Sequence, residues 1–204
     1  NHKYLRYGTF SRTDIVSSTT TYTGRFDRKD CAGNNTTPGT GICTYSEEMT
    51  NFANWYTYYR TRMQMMKTTV GQAFIPIDAK YRVGFITINP GSPVSNNKYL
   101  SIAKFDIPQK TAWYQKLYAQ QPTGGTPLRE ALSRVGRHFG GITTGINSGM
   151  TPDPMEYSCQ QNFTILTTDG YWNGNAGIDL SGSVLGNQDN TDSGYTTRSI
   201  GAYD

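Results

Sequence analysis

No stretch of this sequence approaches the roughly eighteen consecutive apolar residues that a membrane-crossing helix needs. Charge is also scarce. Only 17% of residues are charged, and the net charge of +4 is scattered with no block of like sign, which gives no support to nucleic acid or a polybasic membrane tether as partner. There are three cysteines and two histidines, and no pair of them shows the spacing of a zinc site. The first residues, Asn1-His2-Lys3, have neither an initiator Met nor the apolar core of a signal peptide, so the expectation is a processed piece or a fragment. Only 35% of residues are hydrophobic, while Gly, Ser, Thr, Asn and Tyr are abundant. A polar but weakly charged surface of that kind is more usual outside the cell. The length of 204 residues suits one domain with an elaborated loop and suffices to bury a core.

Cys31 and Cys43 bracket AGNNTTPGTGI, a Gly/Asn/Thr/Pro loop that cannot hold itself by apolar burial. A disulfide closing it would contribute about 3 kcal/mol in the chain-entropy model; the alternative is two free surface thiols. Cys159 is left over. From residue 47 the pattern changes. Met49, Phe52, Tyr56, Tyr59, Met63, Met66, Val70 and Phe74 recur at threes and fours, which predicts one helix of about seven turns over 47–74, started by a capping box at 44–47 and stopped by Pro76. Its aromatic cluster, Trp55, Tyr56, Tyr58 and Tyr59, suits a base-stacking platform or, better at helical spacing, core packing against a sheet.

YRVGFITI at 81–88 predicts a buried strand, 99–105 a short edge strand and 108–120 a modest helix. TGGTPLREAL follows. Thr126 is placed to cap a helix with Pro127 in its first turn, its buried stripe running through Leu128, Ala131, Leu132, Val135 and Phe139 to a stop at Gly140-Gly141. NFTILTTDG at 162–170 then reads as a central buried strand ended by Asp169-Gly170, although Asp-Gly is equally a plain turn signal. Strands alternating with helices predict a doubly wound, mostly parallel α/β sheet, whose carboxyl rim is where ligands sit. Thr126 and Asp169 would share that rim. A hydroxyl and a carboxylate are hard oxygen donors suited to a magnesium-like ion; the plainer role for Thr126 is ordinary helix capping.

TGGTPLREAL, ILTTDGYWN and CTYSEEMTNFANWYTYYRTRMQMMK together resemble the N-terminal region of the PilC/PilY family of type IV pilus tip-associated adhesins and pilus biogenesis factors, over most of the chain from about Cys31 onward. The resemblance implies a von Willebrand factor A-like fold with a metal-ion-dependent adhesion site. Family members build that site from Asp-x-Ser-x-Ser after the first strand, a Thr before a helix and an Asp after a later strand. Thr126 matches the second element and Asp169 the third. No apolar strand carrying the first element precedes the long helix, and Asp14-Ile15-Val16-Ser17-Ser18 has the wrong spacing. The letters recur at Asp179-Leu180-Ser181-Gly182-Ser183, without an apolar run before them. The expectation is therefore a loop-rich insertion at 1–46 carrying the disulfide, a core at 47–204 lacking its first strand, and magnesium or another divalent cation bound weakly or not at all by this chain. An oxygen-rich run at 187–194 lacks the closing Glu of an EF-hand and reads as a solvated turn.

By the same resemblance the function is pilus-tip adhesion or pilus assembly. The expected partners are minor pilins or other tip proteins, a host surface ligand and the C-terminal domain of the parent protein, with no nucleic acid, at the pilus tip or outer surface. No His or Cys lies near Thr126 or Asp169 in sequence to act as base or nucleophile, so an enzyme is not expected. The alternatives are a metal-dependent hydrolase on the same rim and a purely structural pilus element.

Overall fold

A computed structural model describes residues 12–23, 30–31, 41–168 and 170–186. The chain forms two compact units, Asn1–Thr69 and Val70–Asp204.

In the first unit β1 (Thr21–Thr23) pairs antiparallel with β2 (Ile42–Thr44), placing Tyr22 opposite Cys43. Cys43 is bonded to Cys31, and these three side chains are the buried residues that this hairpin is built on. Tyr22 hydroxyl accepts from the Val16 amide at 2.7 Å and donates to the Val16 carbonyl at 2.8 Å, so a ring and a disulfide replace an apolar core here. α1 (Tyr45–Tyr58) starts from a reciprocal capping box: Thr44 hydroxyl accepts from the Glu47 amide, and the Glu47 carboxylate accepts from the Thr44 amide at 2.8 Å.

The single helix expected over 47–74 is broken. α1 stops at Tyr58 and α2 (Arg62–Ala73) begins anew, because Thr61 and Gln64 form a second box, with Thr61 hydroxyl accepting from the Gln64 amide and Gln64 Oε1 from the Thr61 amide. A side chain that satisfies the free amides of a new first turn competes with continuation of the old one. The expected apolar stripe is also mostly open: α1 buries no residue, and only Val70 and Phe74 at the far end reach a core.

In the second unit β3 (Arg82–Ile86) pairs antiparallel with β4 (Tyr99–Lys104), with a bulge between Val83 and Phe85. Gly84 sits in the bulge, where a Cβ would come within 2.8 Å of the Leu100 carbonyl oxygen. Gln109 of α3 (Ile107–Ala119) donates to the Val83 and Ser101 carbonyls, both at 2.8 Å, repairing the interrupted ladder. α3 is capped by Asp106, whose carboxylate accepts from the Gln109 amide. Its buried face joins Trp113 and Leu117 to Phe105, with Phe74 stacked on Trp113 at 4.3 Å between ring centres. Val94, Tyr99 and Met150 form a second cluster, against which Ile86 packs.

α4 (Leu128–Phe139) departs from its predicted face. Its buried side chains are Ala131, Arg134, Arg137 and His138, whereas Leu132 is exposed. The helix turns its polar edge inward because carbonyl-rich loops lie there: Arg137 donates to the Asp179 and Leu180 carbonyls at 2.7 and 2.8 Å. Residues 162–168 form no strand, correcting the expected central strand. Phe163 and Ile165 are 83% and 76% exposed, and no described segment offers them a ladder. A strand exists only through inter-strand hydrogen bonds, and apolar, β-branched sequence cannot supply the neighbour. The named strand pairs among the described residues are antiparallel. No described helix is long and apolar enough to cross a membrane.

Candidate functional site

Three loops converge at the end of β3. Asn89 follows that strand, and Gly124 approaches it so closely that a Cβ would meet the Asn89 side-chain Nδ2 at 2.6 Å; Gly124 also has φ near +81°, which glycine adopts without strain. Next in the chain, Gly125 lies against Asn173, whose Oδ1 would be 2.7 Å from an added Cβ. Thr126 then binds Asn173 twice, its amide donating to Asn173 Oδ1 at 2.8 Å and its carbonyl accepting from the Asn173 amide at 3.0 Å. The Gly-Gly pair thus permits the approach, and the Asn173 side chain fixes it.

This clamp positions the 170–175 loop on the start of α4. Arg129 stacks its guanidinium 4.2 Å above the Trp172 ring, and Asn175 donates to Glu130 at 2.8 Å. Gly174, with φ near +102°, faces Pro127, whose Cβ would lie 3.0 Å from an added Cβ. Asp169 itself lies outside the described residues. What the structure gives is Thr126 clamped to Asn173, four positions beyond it in sequence.

Thr126 does not cap α4. The cap position is Pro127, and no side chain accepts from the first-turn amides. The Leu128 amide instead donates to the Thr126 carbonyl at 2.9 Å. The expected capping role is therefore replaced by backbone bonds, and the hydroxyl is left to other partners. Sequence reasoning passed over Asn89 and Asn173; the signal for both was the adjacent Gly124-Gly125, which marks a close backbone approach.

The Asp179-to-Ser183 loop closes on itself. Asp179 Oδ1 accepts from Ser181 hydroxyl at 2.6 Å and from the Ser183 amide at 2.9 Å, and the two serine oxygens lie 3.0 Å apart. Ser181's hydroxyl, followed by the Ser183 amide, holds this carboxyl below its ordinary range. The loop hangs from Arg137 in the last turn of α4, while Thr126 stands before the first; at 1.5 Å per residue those attachments are separated by about 15 Å along the axis. The Asp-x-Ser-x-Ser letters are thus on the wrong end of the helix to share an ion with Thr126. A group of three potential metal-binding side chains, Asp30, Cys31 and Cys43, is disqualified chemically, because both sulfurs are in the disulfide and neither is a thiolate.

Beneath α4 lies a buried polar layer. Arg134 is 2% exposed and donates to Glu130 at 3.0 Å, with burial pushing its ionisation down and Glu130 opposing that shift. His138, 4% exposed, shares a hydrogen bond with the Tyr99 hydroxyl at 3.3 Å. Burial lowers its pKa and Asp153 partly restores it. Arg82 ties down the loop that leads to 162–168, donating to the Pro154 carbonyl at 2.8 Å and pairing with Glu156 at 3.1 Å.

The chain is similar to three proteins named type IV pilus biogenesis factor PilY1, from strains of Pseudomonas aeruginosa. Identity is 33% over 132 residues for the UCBPP-PA14 protein, 32% over 159 for the PAO1 protein and 36% over 153 for the PAK protein. These alignments cover 63%, 72% and 69% of this chain, and 11–13% of the relatives' own length. No protein-family model and no solved structure matches.

Proposed function

We propose that this chain is a segment of a type IV pilus biogenesis factor of the PilY1 kind and acts by binding other proteins, not by turnover. The observation that carries this is the shared sequence with three such factors over about two thirds of the chain. The whole relatives are far longer, so pilus-tip adhesion, with minor pilins, tip proteins, a host surface ligand or the C-terminal domain of its own parent as partners, is part of the proposal. So is a location at the extracellular pilus surface.

The proposed architecture is a von Willebrand factor A-like sheet, in which a strand from outside this chain lies between β3 and the 162–168 segment. Exposed Phe163 and Ile165 support it: they have the sequence of a buried strand and lack only a ladder. On the rim, Thr126 hydroxyl and Asp169 carboxylate would hold magnesium or manganese, with an upstream Asp-x-Ser-x-Ser supplying further oxygens. The donors fit a hard cation chemically, and the Thr126–Asn173 bond brings the 170–175 loop to Thr126. Two donors alone leave most of an octahedral shell to water. Bound there, the ion would accept a carboxylate from the partner, its charge providing the local attraction.

Calorimetric titration of magnesium tests this. The present chain should bind weakly or not at all, and a form extended upstream by a strand bearing Asp-x-Ser-x-Ser should bind, losing affinity on Asp169→Ala. Tight binding by the present chain that survives Asp169→Ala would sink the proposed site, and magnesium-dependent phosphatase or peptidase turnover would overturn the non-enzymatic reading.

A further inference from the structure

The sequence contains a single Asn-Gly pair, Asn173-Gly174, and its asparagine is the residue that clamps Thr126. An asparagine can react with its own backbone, because the amide nitrogen of the next residue lies within ring-closing reach of the side-chain carbonyl carbon. Gly174 has no Cβ to crowd that nitrogen. The surroundings favour the reaction at each of its centres. No described residue accepts from the Gly174 amide, so the nucleophile is open to base. Asn173 is exposed, and no described residue holds its Nδ2, the group that must leave. The Thr126 amide donates to Asn173 Oδ1 at 2.8 Å. Negative charge gathers on that oxygen as the ring closes, so the hydrogen bond strengthens in the transition state.

Asn147-Ser148 has the opposite arrangement. Asn147 is fully buried, its Nδ2 donates to the Arg134 carbonyl at 2.8 Å, and the Ser148 amide donates to the Gly145 carbonyl at 3.0 Å. Leaving group and nucleophile are both tied down there. Asn175 is followed by Ala176, whose Cβ crowds the approach, and its Nδ2 is held by Glu130 at 2.8 Å.

We propose that Asn173 is a self-modification site, whose deamidation unfastens the 170–175 loop from Thr126. Base removes the Gly174 amide proton, the nitrogen attacks Asn173 Cγ, and Nδ2 departs as ammonia, closing a succinimide. Water then opens the ring. Addition at Cγ breaks the new bond and leaves aspartate, whereas addition at the main-chain carbonyl carbon breaks the original peptide bond and leaves isoaspartate. Nothing is oxidised or reduced: an amide and water become a carboxylate and ammonium. Aspartate keeps an acceptor for the Thr126 amide, now a charged one. Isoaspartate routes the main chain through Cβ and Cγ. The Asn173 amide and its former side-chain acceptor then lose the spacing that meets the Thr126 carbonyl and amide together. The reaction needs no ion, so it holds whether or not a cation binds at the proposed rim.

The test ages the full 204-residue chain in mildly alkaline buffer, folded in one sample and unfolded in urea in another. Peptide mapping by mass spectrometry locates the deamidation, and electron-transfer fragmentation separates aspartate from isoaspartate. In the folded chain Asn173 should convert at least about tenfold faster than Asn147 and Asn175, a modest difference in barrier. It should convert no more slowly than in urea. Hydrogen exchange at the Thr126 amide should speed up in the isoaspartate form and stay slow in Asn173→Asp. Asn173→Gln, whose ring would be one member larger, should age without either change. An Asn173 that reacts only in urea overturns the inference, since the fold would then protect it. So does unchanged exchange at Thr126 in the isoaspartate form, or equal loss of protection in aged Asn173→Gln.

Discussion

His138 shows how one side chain couples this fold to pH. It is buried against Tyr99, with Arg137 beside it and Arg134 one turn earlier on α4, and Asp153 is the acidic group acting on it. Burial is the larger influence, so its folded pKa lies below the ordinary imidazole value of about 6.5. Between the two values the unfolded chain binds the proton and the folded chain does not. The stability this neutral histidine allows is therefore fully present above about pH 6.5 and is lost as pH falls from there toward the lowered folded value. Chemical denaturation between about pH 7 and about pH 5 should show this acid loss in the wild type and a flatter profile in His138→Gln. Identical profiles would mean that the ring is solvated.

Among the elements, α1 depends on its first turn more than most helices do. Having no buried residue, it draws little from tertiary packing, which normally supplies most helical stability in a protein. The Thr44–Glu47 box therefore carries an unusual share of the load. Thr44→Ala should cost about 1 kcal/mol locally. It should also speed amide exchange at Glu47 and Glu48, while exchange in α3, held by Trp113 and Leu117, stays as it was. Unchanged exchange at those two amides would show that another contact fixes the helix start.

At the scale of the whole molecule, the described residues of the two units are stabilised by different chemistry. The first unit is organised on Tyr22 and the Cys31–Cys43 disulfide, the second on the cluster of Phe105, Trp113 and Leu117 and on the smaller one of Val94, Tyr99 and Met150. Trp113 packs against the rings of Phe74, Phe85, Phe105 and Tyr114 and is tied to the sheet, since its indole donates to the Gly84 carbonyl at 3.2 Å. Trp113→Ala should destabilise the second unit by about 3–5 kcal/mol. Hydrogen exchange resolved by residue should then show protection lost in β3 and β4 and retained in β1 and β2. Simultaneous loss in both hairpins would indicate one cooperative core.

Local chemistry was legible in the sequence. The capping box at Thr44, the span of α3, the strands near 82–86 and 99–104 and the glycine stop after Phe139 all follow from groups within a few residues of one another, whereas the antiparallel pairing of those two strands does not. Even the break at Thr61 was written there, since Thr61 and Gln64 have the spacing of the box that opens α2, though the longer apolar period masked it. The clamp between Thr126 and Asn173 was half legible: Gly124-Gly125 announced a close approach, but nothing local named the partner 47 positions away. Tertiary structure alone decided which face of α4 turns inward, because the Asp179 and Leu180 carbonyls that draw in Arg137 come from a distant loop. It also decided the state of residues 162–168. Their side chains ask for a sheet, but a strand is made by hydrogen bonds to a neighbour, and that neighbour is a property of the assembled chain, not of the segment.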